Sequence, residues 1–261
     1  MSYVITPNIL NEDRHDRTRR VGWIDLDKVM GSRILVVGAG ALGNEVLKNL
    51  LLAGVRHITV VDMDKVVRSN LNRCLFFDEK DALLGKPKAL VLAEKAGQLD
   101  SEARVKGIVS RIEEIPERLF QEIDLVLGCL DNIAARLHVN AFCYHYSRPL
   151  VDGGTLGTSG KVQVALPPSD PCLQCSMNRS HYRVLERRYS CTGADTNYFE
   201  PKLAAEITTT SIIAAIQVRE ALKIISGKAD SCLRHMFLYN GLTNACIEVE
   251  VELDPQCQLH N

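Results

Sequence analysis

A dense group of hydrogen-bonding side chains follows the apolar run HITVVD at residues 57–62. Two aspartates stand one residue apart where the run ends, and a polar segment with a basic residue comes next. The members of the group are Asp62, Asp64, Ser69, Asn70, Asn72 and Arg73. A connection between a strand and a helix needs only turn-forming residues. This density therefore indicates that a polar or charged ligand is held here.

Three glycines in the spacing GxGxxG, Gly38, Gly40 and Gly43, separate the apolar run RILVV from the helical pattern NEVLKNLLLAG. Glycines in such a turn let the backbone approach phosphates at the positive end of the helix. Asp62 ends the next apolar run, and a carboxylate about twenty residues beyond the turn typically binds the ribose hydroxyls. The pattern predicts a nucleotide site that fits a nicotinamide dinucleotide as well as ATP.

The side chains beyond Asp62 favour ATP. Hydride transfer needs no further carboxylate, amide and cation beside the ribose, whereas an ATP-consuming enzyme must hold a triphosphate with cations and amide donors. Asp64, Asn70 and Arg73 supply those groups. A nicotinamide oxidoreductase remains the less favoured alternative, and cofactor binding would distinguish the two.

Apolar runs alternate with helical patterns through residue 154, which predicts a parallel sheet with helical crossovers. The predicted strands are 33–37, 57–62, a run from about 104, 124–128 and 149–154, and the predicted helices follow the glycine turn, residue 86 and residue 132. This alternation is typical of an α/β fold with a Rossmann-like nucleotide-binding half.

The pattern changes after residue 154. The run GKVQVALP at 160–167 follows a turn too short for a helical crossover, so we expect an antiparallel strand and a mixed sheet. A long polar loop then precedes an apolar helix at 203–226 and two final strands, HMFLYNG and ACIEVEVEL. Residues 1–261 are expected to form one domain. Its expected parts are a helical N-terminal arm at 1–31, the nucleotide-binding half at 33–154, a crossover loop at 168–200, and a C-terminal helix with antiparallel strands at 201–261.

The composition narrows the class of protein. The chain has 261 residues, 46% hydrophobic content and a formal net charge of −1, which is typical of a globular protein without the positive charge of a general nucleic-acid binder. It has neither eighteen consecutive apolar residues nor a basic and apolar leader, so we expect a cytoplasmic protein without a membrane partner. Nine scattered cysteines suit a reducing compartment, where thiols bind metal, react or fill the core.

Four segments resemble one enzyme family in the same order along the chain. They are DMDKVVRSNLNR at 62–73, GKPKA at 85–89, LGCLDN at 127–132 and DGGTLGTSGKVQV at 152–164. From about residue 14 onward, the chain resembles the adenylation domain of ubiquitin-activating enzymes and of the bacterial adenylyltransferases that activate sulfur-carrier proteins for molybdopterin and thiamine synthesis. The segments resemble the ubiquitin type more closely.

The resemblance implies ATP and magnesium as cofactors. It implies that Asp62 binds the ribose, with Asp64 beside it, and that Asp131 binds magnesium. The phosphates would lie against the Gly38 turn and contact Asn70, Arg73 and Lys88. It also matches Arg17 to an arginine that reaches into the partner subunit's nucleotide site, which implies a homodimer. One departure is Cys74, which stands where the family usually has a glutamine amide near the phosphates.

The implied reaction is attack by the C-terminal carboxylate of a carrier protein on the α-phosphate of ATP. That carboxylate is ionised at neutral pH, so no general base is required. The barrier is charge repulsion, which Arg17, Arg73, Lys88 and magnesium on Asp131 would neutralise. The products are pyrophosphate and an acyl adenylate. The expected partners are a ubiquitin-like or sulfur-carrier protein ending in Gly-Gly and, for the ubiquitin type, a conjugating enzyme.

Cys172 and Cys175, in PCLQC, have the spacing of metal ligands, and zinc requires two further sulfur or imidazole ligands. The family has a second CxxC near its C-terminus, and this chain has Cys257 and His260 at the matching place. The resemblance therefore implies a zinc site that ties the crossover loop to the last strand. Four protein ligands leave no open position, so its role would be structural. The alternative is a chance CxxC and a frayed tail.

Cys191, in RRYSCTGADT, lies close in sequence to Arg187 and Arg188, which would favour its thiolate form. The matching loop carries the reactive cysteine in single-domain relatives. The resemblance thus implies that Cys191 takes the acyl group from the adenylate as a thioester. Two alternatives stay open, namely a sulfur-carrier adenylyltransferase without ubiquitin-like conjugation and a non-catalytic scaffold subunit.

Overall fold

A computed structural model describes residues 14–177, 204–233 and 236–260, which contain an eight-stranded mixed sheet flanked by helices. The strands are β1 Arg33–Val37, β2 His57–Val61, β3 Arg104–Ile108, β4 Leu125–Gly128, β5 Leu150–Leu156, β6 Ser159–Ala165, β7 Met236–Asn240 and β8 Ala245–Val249. They lie in the order β3-β2-β1-β4-β5-β6-β7-β8. The predicted α/β, Rossmann-like mixed sheet is confirmed.

The first five strands pair in parallel and form the half that the sequence predicts to bind a nucleotide. β1 and β4 are apolar along almost their whole length because parallel strands in the centre of a sheet are covered on both faces. The chain leaves β1 toward β2 and β3, then returns to place β4 on the other side of β1. Their carboxyl ends therefore diverge around a crevice, which is the usual ligand site of such a sheet.

The last four strands pair antiparallel. β5 runs two residues further than the predicted 149–154, because Thr155 pairs with Gly160 and Leu156 with Ser159. The connection is then only residues 157–158, and Gly157 adopts a φ of 58° there. β8 is shorter than its apolar and acidic alternation indicated, since its pairing with β7 ends at Val249.

The helices of the described residues cover the sheet from both sides. They are α1 Asp16–Arg19, α2 Leu26–Gly31, α3 Ala41–Ala53, α4 Glu79–Leu84, α5 Lys88–Leu99, α6 Arg118–Glu122, α7 Ile133–His145 and α8 Ile207–Ile225. α3, α5 and α8 bury one hydrophobic cluster against the sheet, and α6 and α7 bury another on the opposite face. None of these helices is long and apolar enough to cross a membrane.

α8 begins four residues later than the predicted helix at 203–226. Ala205 forms a bridge with Gly157, and Glu206 has an extended backbone with a φ of −110°. The helix begins at Ile207 because the Glu206 carbonyl oxygen accepts its first hydrogen bond, from the Thr210 amide at 3.1 Å. Residues 201–203 lie outside the described residues.

The N-terminal arm is helical where the structure describes it, with α1 and α2 separated by a turn. Asp25 caps α2 by accepting a hydrogen bond from the Lys28 amide at 3.2 Å. The arm packs at the C-terminal end of α3, where His15 lies against Gly54. Residues 1–13 of the predicted arm are outside the described residues.

The turn between β1 and α3 depends on close backbone approach. Gly38 has a φ of 102°, and a Cβ atom there would lie 2.5 Å from the Cys129 carbonyl oxygen. A Cβ atom on Gly43 would lie 2.0 Å from the Gly38 carbonyl oxygen. Both glycines are therefore required to seat the first turn of α3 against β1 and β4. Gly40 is different, because no atom lies within 4 Å of a Cβ placed there.

We expect Gly43→Ala to lower the free energy of unfolding by about 1–3 kcal/mol, because the added methyl group would overlap a backbone oxygen. Gly40→Ala is the matched control, since its site is open and its φ is −72°, and its effect should stay within about 0.5 kcal/mol. Urea unfolding of both variants measures the difference. Equal stabilities would contradict the close approach of Gly43 to the turn.

Candidate functional site

A cleft of about 680 Å³ opens at the carboxyl ends of β1, β2 and β4. All but one of the residues predicted to bind ATP line it, namely Gly38, Gly40, Asp62, Asp64, Asn70, Arg73, Lys88 and Asp131. The exception is Gly43, which packs beneath the glycine turn. The cleft has the size of a small-molecule or cofactor site. We call it the nucleotide cleft, after the ligand that the sequence predicts for it.

Asp62 is fixed by the backbone on both of its oxygens. Its carboxylate accepts hydrogen bonds from the Ala39 amide at 2.6 Å and the Asp64 amide at 2.7 Å. Burial raises the pKa of Asp62, while the charge of Lys88 and these two hydrogen bonds oppose that shift. The carboxylate therefore has one orientation at the end of β2 and keeps lone pairs for a hydroxyl donor.

Asp64 and Lys88 form an ion pair of 2.8 Å on one wall of the nucleotide cleft. The Lys88 amide also donates to the Asp64 carbonyl oxygen at 2.9 Å, so the two residues are tied through backbone and side chain. Lys88 is the first residue of α5 and only 9% exposed. A lysine with so little freedom presents its ammonium at a fixed place in the cleft.

Asn70 and Arg73 belong to the turn that follows β2. The side-chain oxygen of Asn70 accepts a hydrogen bond from the Val67 amide at 3.0 Å, which closes a short 3-10 turn at Arg68–Asn70. The Arg73 guanidinium donates to the Ser69 carbonyl oxygen and, at 3.0 Å, to the Asn72 side chain. The side-chain amide of Asn70 and the guanidinium of Arg73 are thus held in place at the wall of the cleft.

Asp131 follows β4 and precedes α7. Asn132 caps α7 by accepting a hydrogen bond from the Ala135 amide at 2.9 Å. The Asp131 carboxylate is exposed and makes no hydrogen bond or ion pair within the described segments. An exposed carboxylate at a cleft wall is a ligand of the kind that a hard divalent cation prefers.

Cys74, which differs from the family's glutamine, does not line the cleft. It is 3% exposed, and burial raises the pKa of its thiol to about 11. The thiol is therefore neutral at physiological pH and packs in the core. The segment after Cys74 is anchored to α3, because the Asn44 side chain accepts a hydrogen bond from the Phe76 amide at 3.0 Å.

A second cavity of about 560 Å³ adjoins the nucleotide cleft. Its walls are mostly apolar and include Leu137, Leu156, Leu173, Met177, Met236 and Leu238. It shares Asp131, Arg136, Gly154 and Thr155 with the cleft, so the two spaces meet there. We call this space the apolar channel.

Arg136 lines both the nucleotide cleft and the apolar channel. This residue was not identified from the sequence. Its guanidinium forms an ion pair with Asp152 and donates to the Leu130 carbonyl oxygen. Asp152 is 1% exposed within β5. An aspartate inside an apolar strand signals a buried cation, but nothing in the sequence identifies Arg136 of α7 as that cation.

Arg17 lies far from the nucleotide cleft of its own chain. Its side chain is 72% exposed and lies 3.7 Å from the Asp16 carboxylate. The arm packs at the end of α3, while the cleft lies at the start of that 13-residue helix, about 20 Å away. Within one chain, Arg17 is not among the residues that line the cleft.

The four predicted zinc ligands come together. The ligand atoms of Cys172, Cys175, Cys257 and His260 all lie within 4.8 Å of one another. The Cys172 sulfur lies 3.8 Å from that of Cys175 and 3.6 Å from that of Cys257. The Nε2 atom of His260 is buried and makes no hydrogen bond.

The segment that carries Cys172 is fixed independently of any metal. The Asn140 side chain accepts a hydrogen bond from the Leu173 amide at 3.0 Å, and the Gln163 amide donates to the Cys172 carbonyl oxygen at 3.3 Å. These contacts join the cluster to α7 and β6. Cys191, Arg187 and Arg188 lie outside the described residues.

The chain is similar to subunits of enzymes that activate ubiquitin-like proteins. The SUMO-activating enzyme subunit 2 of Dictyostelium discoideum is 35% identical over 157 residues, which cover 59% of this chain and 23% of that protein. The NEDD8-activating enzyme E1 catalytic subunit of Arabidopsis thaliana is 37% identical over 158 residues, covering 56% of this chain and 34% of that protein. The chain thus spans about a quarter to a third of the length of these relatives.

Solved structures share the fold. E. coli MccB with MccA superposes with a TM-score of 0.76 at 19% identity, covering 98% of this chain and 77% of MccB. E. coli MccB with ATP gives 0.76 at 20% identity, covering 96% and 75%. A model of the ThiF family matches residues 13–259. By that match over nearly its whole length, the chain belongs to the ThiF family.

Proposed function

We propose that this chain adenylates the C-terminal carboxylate of a ubiquitin-like or sulfur-carrier protein with ATP. The observation that carries this proposal is the nucleotide cleft, in which fixed carboxylates, an amide and two cations surround the glycine turn. A dinucleotide oxidoreductase would have no use for Lys88 and Arg73 beside the ribose carboxylate. Family membership and the similarity to activating-enzyme subunits support the same reaction.

Each group has a role in this reaction. Asp62 would accept hydrogen bonds from the ribose hydroxyls, and the backbone amides after Gly38 would meet the phosphates at the positive end of α3. Lys88 and Arg73 would offset the phosphate charge, and Asn70 would donate an amide hydrogen. Asp131 fits a divalent cation, and bound magnesium would supply further charge neutralisation at the phosphates.

The carrier's tail would enter through the apolar channel, which shares Asp131 and Arg136 with the nucleotide cleft. Its terminal carboxylate oxygen would form a bond to the α-phosphorus as the bond to pyrophosphate breaks. No proton moves in this step, because the carboxylate is already ionised. The chain's part is therefore to align the carboxylate with the α-phosphate and to offset negative charge.

Lys88→Met should lower carrier-dependent ATP–pyrophosphate exchange about 100-fold or more, since it removes a buried cation from the nucleotide cleft. Lys106→Met is the matched control, because Lys106 is exposed on β3, and exchange should remain at the wild-type rate. Radiolabelled pyrophosphate incorporation into ATP measures both variants. Absence of exchange by the purified wild-type chain would instead favour the scaffold alternative.

The same assay tests the predicted role of Arg17 across a homodimer. Arg17→Ala should also abolish exchange, although Arg17 is remote from the cleft of its own chain. An equal mixture of Arg17→Ala and Lys88→Met chains should regain about a quarter of the wild-type rate, since half of the dimers would contain one intact site. A mixture without activity would contradict action in the partner's site.

We further propose that the Cys172, Cys175, Cys257 and His260 cluster holds a structural zinc ion. A tetrahedral zinc with bonds of about 2.3 Å places its sulfur ligands about 3.8 Å apart, which fits the observed 3.6 and 3.8 Å. The unpaired buried Nε2 atom of His260 supplies the fourth ligand. The ion would tie residues 172–175 to the C-terminal segment.

The purified chain should contain one zinc per molecule by elemental analysis. Cys257→Ser should reduce zinc content severely and lower the thermal midpoint by several degrees, because a buried ligand is lost. Cys246→Ser, at an exposed cysteine of β8, should change neither quantity. Metal-free protein with an unaltered thermal midpoint would contradict a structural zinc.

The finer proposal is that Cys191 receives the acyl group as a thioester. Sequence alone supports this step, through the neighbouring Arg187 and Arg188. In the ubiquitin-type reaction the thioester would pass to a conjugating enzyme. In the sulfur-carrier alternative, which the MccB-like fold fits equally, the acyl adenylate goes to a sulfur donor or another acceptor.

Incubation with ATP, magnesium and a carrier ending in Gly-Gly should give an adduct on a non-reducing gel that thiol removes. Cys191→Ala should abolish the adduct and leave pyrophosphate exchange intact, because adenylation precedes thioester formation. Cys246→Ala should retain the adduct, since Cys246 lies on β8 at the edge of the sheet. Exchange without any adduct would favour the sulfur-carrier reaction.

A further inference from the structure

The apolar channel contains a lysine that the proposed reaction leaves without a role. Lys161 lies in β6, opposite Gly154 of β5 and Leu238 of β7. Opposed residues of antiparallel strands project to the same face of the sheet. Lys161 therefore shares the face on which Arg136 packs over Gly154, and it forms part of the channel wall.

The Lys161 ammonium has no hydrogen bond or ion pair with any residue of the described segments, whereas Arg136 is held by Asp152. Burial lowers the pKa of the Lys161 amine, the charge of Asp152 opposes that shift, and the charge of Arg136 adds to it. Because Asp152 is paired with Arg136, it is not a direct hydrogen-bonding partner of Lys161.

Lys161 is partly buried. A partly buried cation without a counter-ion costs free energy, and an anion brought by a ligand would offset that cost. Under the proposed function, the ligand of the channel is a polypeptide tail that ends in a carboxylate. This carboxylate must approach Asp131 and the ATP phosphates, all of which are negative. Lys161 lines the apolar channel, which adjoins the nucleotide cleft. Its positive charge would favour entry of the tail.

We propose that Lys161 is a positioning residue that binds a carboxylate of the incoming tail. This inference rests on the proposed function, since it takes the carrier's tail as the ligand of the channel. The carboxylate can come from the chain terminus or from an acidic side chain close to it. In either case the channel selects a negatively charged tail, which the apolar walls alone would not do.

The test is fluorescence anisotropy with labelled eight-residue peptides in the absence of ATP. One peptide ends in Leu-Ala-Gly-Gly with a free carboxylate, the second is its C-terminal amide, and the third is the amide with Glu in place of Ala. We expect Lys161→Met to lower the affinity for a carboxylate-bearing peptide about tenfold or more and to leave the affinity for the plain amide unchanged. Lys161→Arg should restore most of the affinity, and Lys106→Met should have no effect.

The arms of the test separate the two sources of the carboxylate. Loss for the free acid assigns the terminal carboxylate, and loss for the Glu-containing amide assigns an acidic side chain. An equal loss for the plain amide would mark a merely structural lysine and overturn the proposal. Unchanged affinities in Lys161→Met, or no binding of any peptide to the wild-type chain, would overturn it as well.

The peptide-binding measurement tests the role of Lys161, and the pyrophosphate-exchange measurement tests the proposed function, so either hypothesis can be rejected without the other. A chain that binds the peptides through Lys161 but does not exchange pyrophosphate would keep this inference and lose the proposed function. A chain that exchanges pyrophosphate but binds every peptide equally well in Lys161→Met would keep the proposed function and lose this inference.

Discussion

The ion pair between Arg136 and Asp152 anchors α7 on β5, the strand that joins the two halves of the sheet. Asp152 is buried in β5, which is parallel to β4 and antiparallel to β6. Arg136 reaches it from α7 and also binds the Leu130 carbonyl oxygen, next to Asp131. A charge buried this deeply needs its partner, because removing one leaves the other uncompensated. The pair thereby fixes where the nucleotide cleft ends and the apolar channel begins.

A neutral contact supports the same region from the opposite face. β4 and β5 pair over only three residues, and Gln217 of α8 bridges the two strands at the end of that pairing. Its amide nitrogen donates to the Gly128 and Val151 carbonyl oxygens, at 2.8 Å each. The floor of the site is therefore held by one charged and one amide side chain, so its shape depends on the packing of α7 and α8 as well as on the sheet.

The sequence predicted the parts that depend on local pattern. The long helices and central strands follow from periodicity, and the glycine turn and Asp62 were identified because each follows a predicted parallel strand. The roles of Lys88 and Asp131 came from the family resemblance instead. α4 and α6 were missed because five or six residues show no period. Lys161 was missed because its place in the channel wall depends on the register of β6 against β5, and Arg136 because its partner lies in another element. Both positions are fixed only by tertiary packing.

β8 forms one edge of the sheet, and its outer backbone groups pair with no strand among the described residues. Such an edge is a template for pairing with an identical strand, which is a common start of aggregation. Here Glu248 of β8 and Glu250, directly after the strand, alternate with apolar residues, and both are exposed. Antiparallel pairing of two copies would bring these carboxylates close together, and their repulsion would oppose it. The acidic alternation thus disfavours pairing of this edge with an identical strand.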